Sequence, residues 1–418
     1  MSLEDFRYDA YNCIRCSNCK WLDPIWMQSQ RYAKICPSSA RYLFDAYSAQ
    51  GRMDLALGFI DRELDYTPKF LDIVYKCTMG GACDTMCKRN LDLEVWKVLL
   101  ETRARLVEDG QLLPAHIPVI EGLRKEDNML QRLKADRGKW AEGLDVKDLT
   151  KQKAEVCYYA GCRFSYDEDL WKVARGALTL LNNHGVDVGI MGREEACCGG
   201  RAYEMGYCGE LTKYAEHNTE AWAAAGVRTV VTSCAECYHA FKVLYPEIGK
   251  KVEVLHITEY LDRVISEGEI KLSKKVSMKV TYHDPCHLGR MGEPYVHWEG
   301  TRGKFGLLTP PKEYRRGTYG VYEPPRNVLK SIPGLQLVEM ERIRENAWCC
   351  GAGGGVKEAY PDFGLWTAGE RIEEAKSTGV EALVTACPWC ERNLIDAIKE
   401  RNDAINVYDV VELTIQAI

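Results

Sequence analysis

Residues Val230-Val231-Thr232-Ser233-Cys234-Ala235-Glu236-Cys237 and Leu383-Val384-Thr385-Ala386-Cys387-Pro388-Trp389-Cys390 are one pattern written twice: a β-branched run followed by C-x2-C. A short β-branched run reads as a strand. Pro388 suits the first turn of a helix, where its missing N–H costs nothing. Each C-x2-C is therefore expected where a strand ends and a helix begins. Working outward, each pair is preceded by vicinal cysteines followed by glycine, Cys197-Cys198-Gly199-Gly200 and Cys349-Cys350-Gly351, and further upstream by a single cysteine, Cys162 and Cys286. The vicinal pair precedes the C-x2-C by 35 intervening residues in one half and 36 in the other, so the halves share a register. A second strand is expected in each, Val252 to Leu255 and Ile405 to Tyr408. Alternating strands and helices predict an α/β layer. A repeat this long predicts two similar lobes related by a pseudo-twofold axis.

Open α/β sheets bind ligands at the carboxyl ends of their strands, and a helix N-terminus there favours thiolate over thiol. Ten crowded thiols in two sets point to iron–sulfur clusters. Structural zinc sites use four ligands in paired spacings rather than vicinal runs, and a thioredoxin-like pair leaves the accompanying vicinal cysteines unexplained. The glycines let backbone crowd against such a site, and this reading extends to Gly351-Ala352-Gly353-Gly354-Gly355. The formal charge of −6 over 418 residues argues against binding a phosphate backbone. No apolar stretch resembles a signal peptide or a membrane span, so the chain is expected to be cytoplasmic. In that reducing compartment its 19 cysteines are expected to bind metal rather than to form disulfides.

A second cysteine system opens the chain. Cys13-x2-Cys16-x2-Cys19 is the run that wraps a cubane cluster and supplies three of its ligands, the fourth coming from a distant cysteine. Cys36-Pro37 and Cys77-x5-Cys83-x3-Cys87 supply the rest, with Gly80 where the run should carry another cysteine. By crossed assignment, Cys13, Cys16, Cys19 and Cys87 make one cubane. Cys36, Cys77 and Cys83 are left as a three-thiolate site for [3Fe-4S] or [4Fe-4S]. Residues 39–75 and Leu93 to Val107 read as helices. Trp21, Trp26 and Met27, in the insert Lys20 to Ile35, are expected to pack in a core rather than to cover a cluster or meet a partner. Cys157 and Cys208 fall outside every pattern and are read as structural.

The duplicated half resembles the twin CCG domain of the B-type and D-type subunits of heterodisulfide reductase, shared with the iron–sulfur subunits of glycolate and lactate oxidases. The front end resembles the C-type subunit of the same enzyme, or the corresponding half of its D-type subunit. Tyr282-His283-Asp284-Pro285-Cys286-His287-Leu288-Gly289-Arg290 and Glu345-Asn346-Ala347-Trp348-Cys349-Cys350-Gly351 carry the resemblance most closely. There is a looser likeness to the D-type iron–sulfur subunit of class II benzoyl-CoA reductase complexes. The resemblance implies that each five-cysteine set, Cys162/Cys197/Cys198/Cys234/Cys237 and Cys286/Cys349/Cys350/Cys387/Cys390, holds a non-cubane [4Fe-4S] cluster.

The expected fold is α+β and multidomain: a helical ferredoxin-like region (1–107), a helical connector (108–153) and two pseudo-symmetric α/β CCG lobes (154–270 and 271–418). The expected function is an iron–sulfur electron-transfer subunit of an oxidoreductase complex. The alternative is a catalytic subunit that splits a small disulfide between two clusters, matching one-electron carriers to a two-electron couple. The chain has no flavin or nicotinamide motif, so the partner is expected to be a flavin- or ferredoxin-linked donor. His239, His283, Asp284 and His287 are the candidate proton donors, though a structural role ranks ahead for each. The insert Glu293 to Tyr319, inside the longer gap between Cys286 and Cys349, is expected to alter substrate or partner choice.

Overall fold

The β-branched runs become the strands of two parallel sheets in the computed structural model, which describes residues 2–294, 296 and 298–418. The first sheet contains β1 (Lys147–Asp148), β2 (Val156–Tyr159), β3 (Val188–Ile190), β4 (Thr229–Thr232) and β5 (Glu253–His256) in the order β1-β3-β2-β4-β5. The second contains β6 (Met278–Tyr282), β9 (Leu335–Leu337), β10 (Ala382–Thr385) and β11 (Asn406–Asp409) in the order β11-β10-β6-β9. Read from β3 and from β9, the two orders are identical. β7 (Thr301–Arg302) and β8 (Leu308–Thr309) form a small antiparallel ribbon between them. Every residue of β10 is buried, as expected of a parallel sheet covered by helices on both faces.

The lobes meet reciprocally. Helix Ile257–Ser266, which follows β5, packs on Glu323–Ser331 of the second lobe, while Val410–Ala417, which follows β11, packs on Trp171–Asn183 of the first. Such exchange of equivalent surfaces is what a twofold relation imposes. The two helices after the last strands even share a cap. His256 and Asp409 each accept from the helix N-terminus, and Glu259 and Glu412 reach back to the cap backbone, the reciprocal arrangement that satisfies otherwise orphaned N–H groups.

The front region is helical: Pro37–Tyr42, Ala49–Ile60, Pro68–Tyr75, Ala82–Lys88 and Val95–Glu108. One apolar core runs from these helices through both lobes. The connector is not a detached helical layer, because its β1 adds an edge strand to the first sheet and its Arg137 is buried there. Trp21 and Trp26 depart from expectation: they are 40% and 54% exposed. The insert Glu293 to Tyr319 lies against the front region. Lys312 pairs with Asp92 at 2.8 Å and Glu94 at 3.2 Å, and Arg315 reaches Asp84 at 3.3 Å, which pins the insert onto the front region. Its Tyr295 and His297 lie outside the described residues.

Candidate metal centres

The ten cysteines of the duplicated half are all buried. Their side chains touch in one unbroken series. In the first lobe Cys162 contacts Cys197, Cys197 contacts Cys198, Cys198 contacts Cys237 and Cys237 contacts Cys234. The second lobe repeats the order from Cys286 through Cys349, Cys350 and Cys390 to Cys387. Cys234 and Cys387, equivalent residues of the two lobes, touch each other. The pseudo-twofold axis therefore passes between the two thiol sets.

Local backbone explains how each set closes. Cys234 and Cys387 sit at the N-caps of helices Ala235–His239 and Pro388–Arg401, so they face the positive end of a helix. Gly199 and Gly351 adopt φ of +77° and +89°, the region where a side chain is strained. Each donates its N–H to the sulfur two residues back, Cys197 or Cys349, at 3.4 Å. Thiol crowding then decides where negative charge settles. Cys198 is pushed down to about 6 by hydrogen bonds from Cys197 and Cys237, and Cys350 to about 5 by Cys349 and Cys390. Metal ligation requires the thiolate form.

An all-thiolate donor set in a cradle without spare volume fits an iron–sulfur cluster. A Cβ on Gly161 would stand 2.9 Å from Cys237 Sγ, and one on Gly80 would stand 3.2 Å from Cys286 Sγ and 3.4 Å from Cys349 Sγ. Gly80, where the run lacks a cysteine, therefore also has a packing role. It lets the loop carrying Cys77 press against the second lobe's thiols. Gly353 and Gly354 make the reciprocal approach, since a Cβ on them would meet Thr78 O at 2.5 Å and Cys77 O at 2.7 Å. These last glycines thus admit the front region, where sequence reasoning had them crowd a cluster of their own lobe. Cys36, Cys77 and Cys83 line one cavity with Cys349 and Arg290. Cys87 lies within electrostatic reach of Cys13, and Cys83 within reach of Cys77 and Cys36. Cys16 is exposed. Of the two cysteines outside the patterns, Cys157 is buried in β2 and Cys208 opens helix Cys208–Ala224.

The four proton-donor candidates separate by their partners. Asp284 accepts from Arg326 at 2.6 and 2.8 Å and from Arg344 N at 2.8 Å. Burial pushes its carboxyl up, but Arg326 outweighs burial and holds it below the usual range. It is an anchor. His239 faces Met291 O across 2.7 Å through Nδ1, and burial keeps it neutral. His283 Nδ1 accepts from Arg371 Nε at 3.1 Å, and burial pulls it down to about 3. His287 differs from the other three: Nε2 lies 2.6 Å from Glu204 Oε1, and although burial opposes the charge, that carboxylate raises His287 to about 10.

Sequence reasoning missed the groups that surround these thiols. Arg290 donates to Cys286 Sγ at 3.1 Å. Arg137 approaches Cys162 Sγ at 3.8 Å while bound to Glu195 at 2.9 Å. Arg163 and Arg201 lie over the Trp389 ring, 4.3 and 4.1 Å from its centre. Glu236, between Cys234 and Cys237, is pushed up by burial, partly offset by Arg201, to about 7. Glu236 and Trp389 stand inside the C-x2-C pairs and Arg290 four residues after Cys286, and nothing in the spacing marks any of the three.

The sequence profile of the cysteine-rich CCG domain matches residues 156–242 and 312–395, and that of a 4Fe-4S dicluster domain matches 9–91. The D-type subunit of the dihydromethanophenazine:CoB–CoM heterodisulfide reductase of Methanosarcina acetivorans is 34% identical over 97% of this chain and 93% of its own length. The chain belongs to the family of heterodisulfide reductase D-type subunits. Its counterpart in Methanosarcina mazei is 32% identical with the same coverage. The EtfAB:quinone oxidoreductase of Syntrophomonas wolfei is 28% identical over 99% of the chain but extends further, with 59% of its length covered. As a member of the D-type family, the protein is an iron–sulfur oxidoreductase subunit built for electron transfer. The second CCG match begins inside the insert, past Cys286, because the insert separates that cysteine from the rest of its set. Among the described residues no helix is long and apolar enough to cross a membrane.

Proposed function

We propose that this chain passes electrons from the exposed face at Cys16, through clusters held by its cysteines, to the paired CCG sites. The reading assigns Cys13, Cys16, Cys19 and Cys87 to a [4Fe-4S] cubane. Cys36, Cys77 and Cys83 hold a three-thiolate site, and each five-cysteine set of the lobes holds a non-cubane [4Fe-4S] cluster. Bound there, such clusters supply one-electron transfer. The observation that carries the reading is continuity. Gly80 brings the Cys36/Cys77/Cys83 cavity onto Cys286 and Cys349, and the Cys234–Cys387 contact joins the lobes. The protein's own part is to exclude water from the buried thiols and to hold arginine donors against the lone cysteine of each set. Trp21 and Trp26, exposed in the loop that follows Cys19, flank the surface where a flavin- or ferredoxin-linked partner meets the chain.

Anaerobic iron and sulfide analysis with paramagnetic resonance tests the assignment. Cys286→Ser should remove one signal and about four iron atoms while sparing the first-lobe signal. Zinc, or no metal, at these cysteines would end the reading.

A second reading has its own support. The two CCG sites converge on Cys234 and Cys387, which meet across the lobe boundary. A small disulfide split there would place one sulfur at each site. Titrating the reduced protein with small disulfides distinguishes the two: a new thiol-bound paramagnetic species supports cleavage, and an unchanged spectrum supports the relay alone.

A further inference from the structure

The two CCG sites are built on equivalent positions with unequal chemistry. His283 stands three residues before Cys286, and Tyr159 three before Cys162. Each ends or directly follows the central strand of its sheet, and each is fully buried. A ring nitrogen of His283 and the sulfurs of Cys350 and Cys390 lie within 4.8 Å of one another. On donor types alone this trio resembles a mixed histidine and thiolate metal site.

The hydrogen bond on the far side of the ring decides otherwise. Arg371 Nε points at His283 Nδ1 from 3.1 Å, and a guanidinium has only protons to offer. Arg371 cannot turn away, because its Nη1 is held by Glu374 at 2.7 Å and Arg342 O at 2.9 Å. Nδ1 is therefore the acceptor and the single ring proton sits on Nε2. Metal ligation through Nε2 would put a proton on Nδ1 against the Arg371 proton, leaving two buried donors face to face. Nε2 has no hydrogen-bond partner among the described residues. Since Arg371 occupies Nδ1, Nε2 is the ring nitrogen left to face the sulfurs of Cys350 and Cys390.

In the first lobe the same place offers no proton. The Tyr159 ring lies within reach of Cys237 and Cys198, the equivalents of Cys390 and Cys350, but its hydroxyl donates to Ala196 O at 2.6 Å. Arginine charge differs in the same sense. Arg137 is neutralised by Glu195. Arg290 donates to Cys286 Sγ at 3.1 Å and otherwise to the carbonyls of Gly80, Glu345 and Ala347, with no ion pair among the described residues.

We infer that His283 donates its Nε2–H to sulfur of the second-lobe site without ligating metal, and that this site is reduced before the first-lobe site. Hydrogen bonds to cluster sulfur and uncompensated positive charge both favour the form carrying the extra electron. Each site takes up one electron, and the proton stays on His283. The site that holds an electron first is then the one against Gly80, where the front region delivers it. This inference rests on the cluster assignment proposed above.

A redox titration of the anaerobic protein followed by paramagnetic resonance tests it, with Cys286→Ser and Cys162→Ser assigning the signals. The wave at higher potential should be the one lost in Cys286→Ser. His283→Phe should lower that wave about tenfold in its reduced-to-oxidised ratio, or 59 mV for a one-electron couple, and leave the other in place. Wild-type protein labelled with 15N-histidine needs no substitution. Its second-lobe signal should show a weak nitrogen coupling and a proton coupling that exchanges in D2O. A reversed order of waves, an unshifted wave in His283→Phe, or the strong coupling of a directly bound nitrogen would each overturn the inference while leaving the clusters assigned. Absence of any signal from either lobe would overturn the cluster assignment and this inference together.

Discussion

Both lobes place an acidic residue behind their lone cysteine, and they use it differently. In the first, Glu195 accepts from Ala160 N and Gly161 N at 3.0 and 2.9 Å and also binds Arg137, the arginine that reaches Cys162. In the second, Asp284 is occupied by a separate arginine, Arg326. Arg290, the one on Cys286, binds carbonyls and sulfur and has no carboxylate partner among the described residues. A duplicated backbone thus preserves thiol geometry while the surrounding charges diverge, because the cysteines are fixed by strand ends and caps whereas their neighbours come from elsewhere in the chain. The lesson is that two sites alike in ligands need not be alike in potential.

The sharpest way to separate the lobes is to break the buried pair that only one of them has. Arg326→Leu leaves Asp284 ionised and unpaired in the interior and should cost about 3–5 kcal/mol, read as a lower midpoint in chemical denaturation. The first lobe carries Ala160 at the position of Asp284, so its signals should outlast those of the second lobe through the transition. Equal loss from both lobes would show that they unfold as one unit.

Gly80→Ala should act next most strongly. Its Cβ meets Cys286 Sγ and Cys349 Sγ at 3.2 and 3.4 Å, and overpacking of this kind costs about 1–3 kcal/mol. The disturbance should be visible in the second-lobe signal and absent from the first. An unperturbed second-lobe spectrum would contradict the close approach of the front region.

Glu195→Gln makes the first lobe more like the second by uncovering the charge of Arg137. The first-lobe wave should move to higher potential by about tenfold, or 59 mV. No shift would mean that Arg137 lies too far from the sulfur, at 3.8 Å, to influence it.

The smallest effect expected is one of pH. Burial pushes the Glu374 carboxyl up, but Arg371 and Arg342 outweigh it and hold it below its ordinary value of 4.5. A depressed carboxyl contributes stability that is complete above the ordinary value and is lost as pH falls through the folded one. Stability of the wild type should therefore decline below about pH 4.5 more steeply than that of Glu374→Gln, by at most one proton, in thermal unfolding followed from pH 6 to 3. Parallel curves would remove the pair from the account of acid sensitivity.

Much of the fold could be read directly. The strands expected at Val252 to Leu255 and Ile405 to Tyr408 begin and end one residue later, and the front helices fall where apolar spacing put them. Trp21 and Trp26 were misread because burial of aromatic area is the commoner outcome, and nothing local distinguishes a core tryptophan from one at a surface. Of the candidate proton donors, sequence supplied the residues but not their states: His287 holds a proton because Glu204 stands opposite, 83 residues away.

The sequence by itself determined that ten thiols would gather in two matched sets at strand ends, since spacing along a strand, a cap and a helix is local geometry. Tertiary structure alone decided that the sets touch at Cys234 and Cys387, that Gly80 closes the distance to the front region, and that Arg371 fixes the proton of His283. Those are meetings between segments from about ninety to more than two hundred residues apart. Charge and proximity across such distances leave no periodicity in the chain.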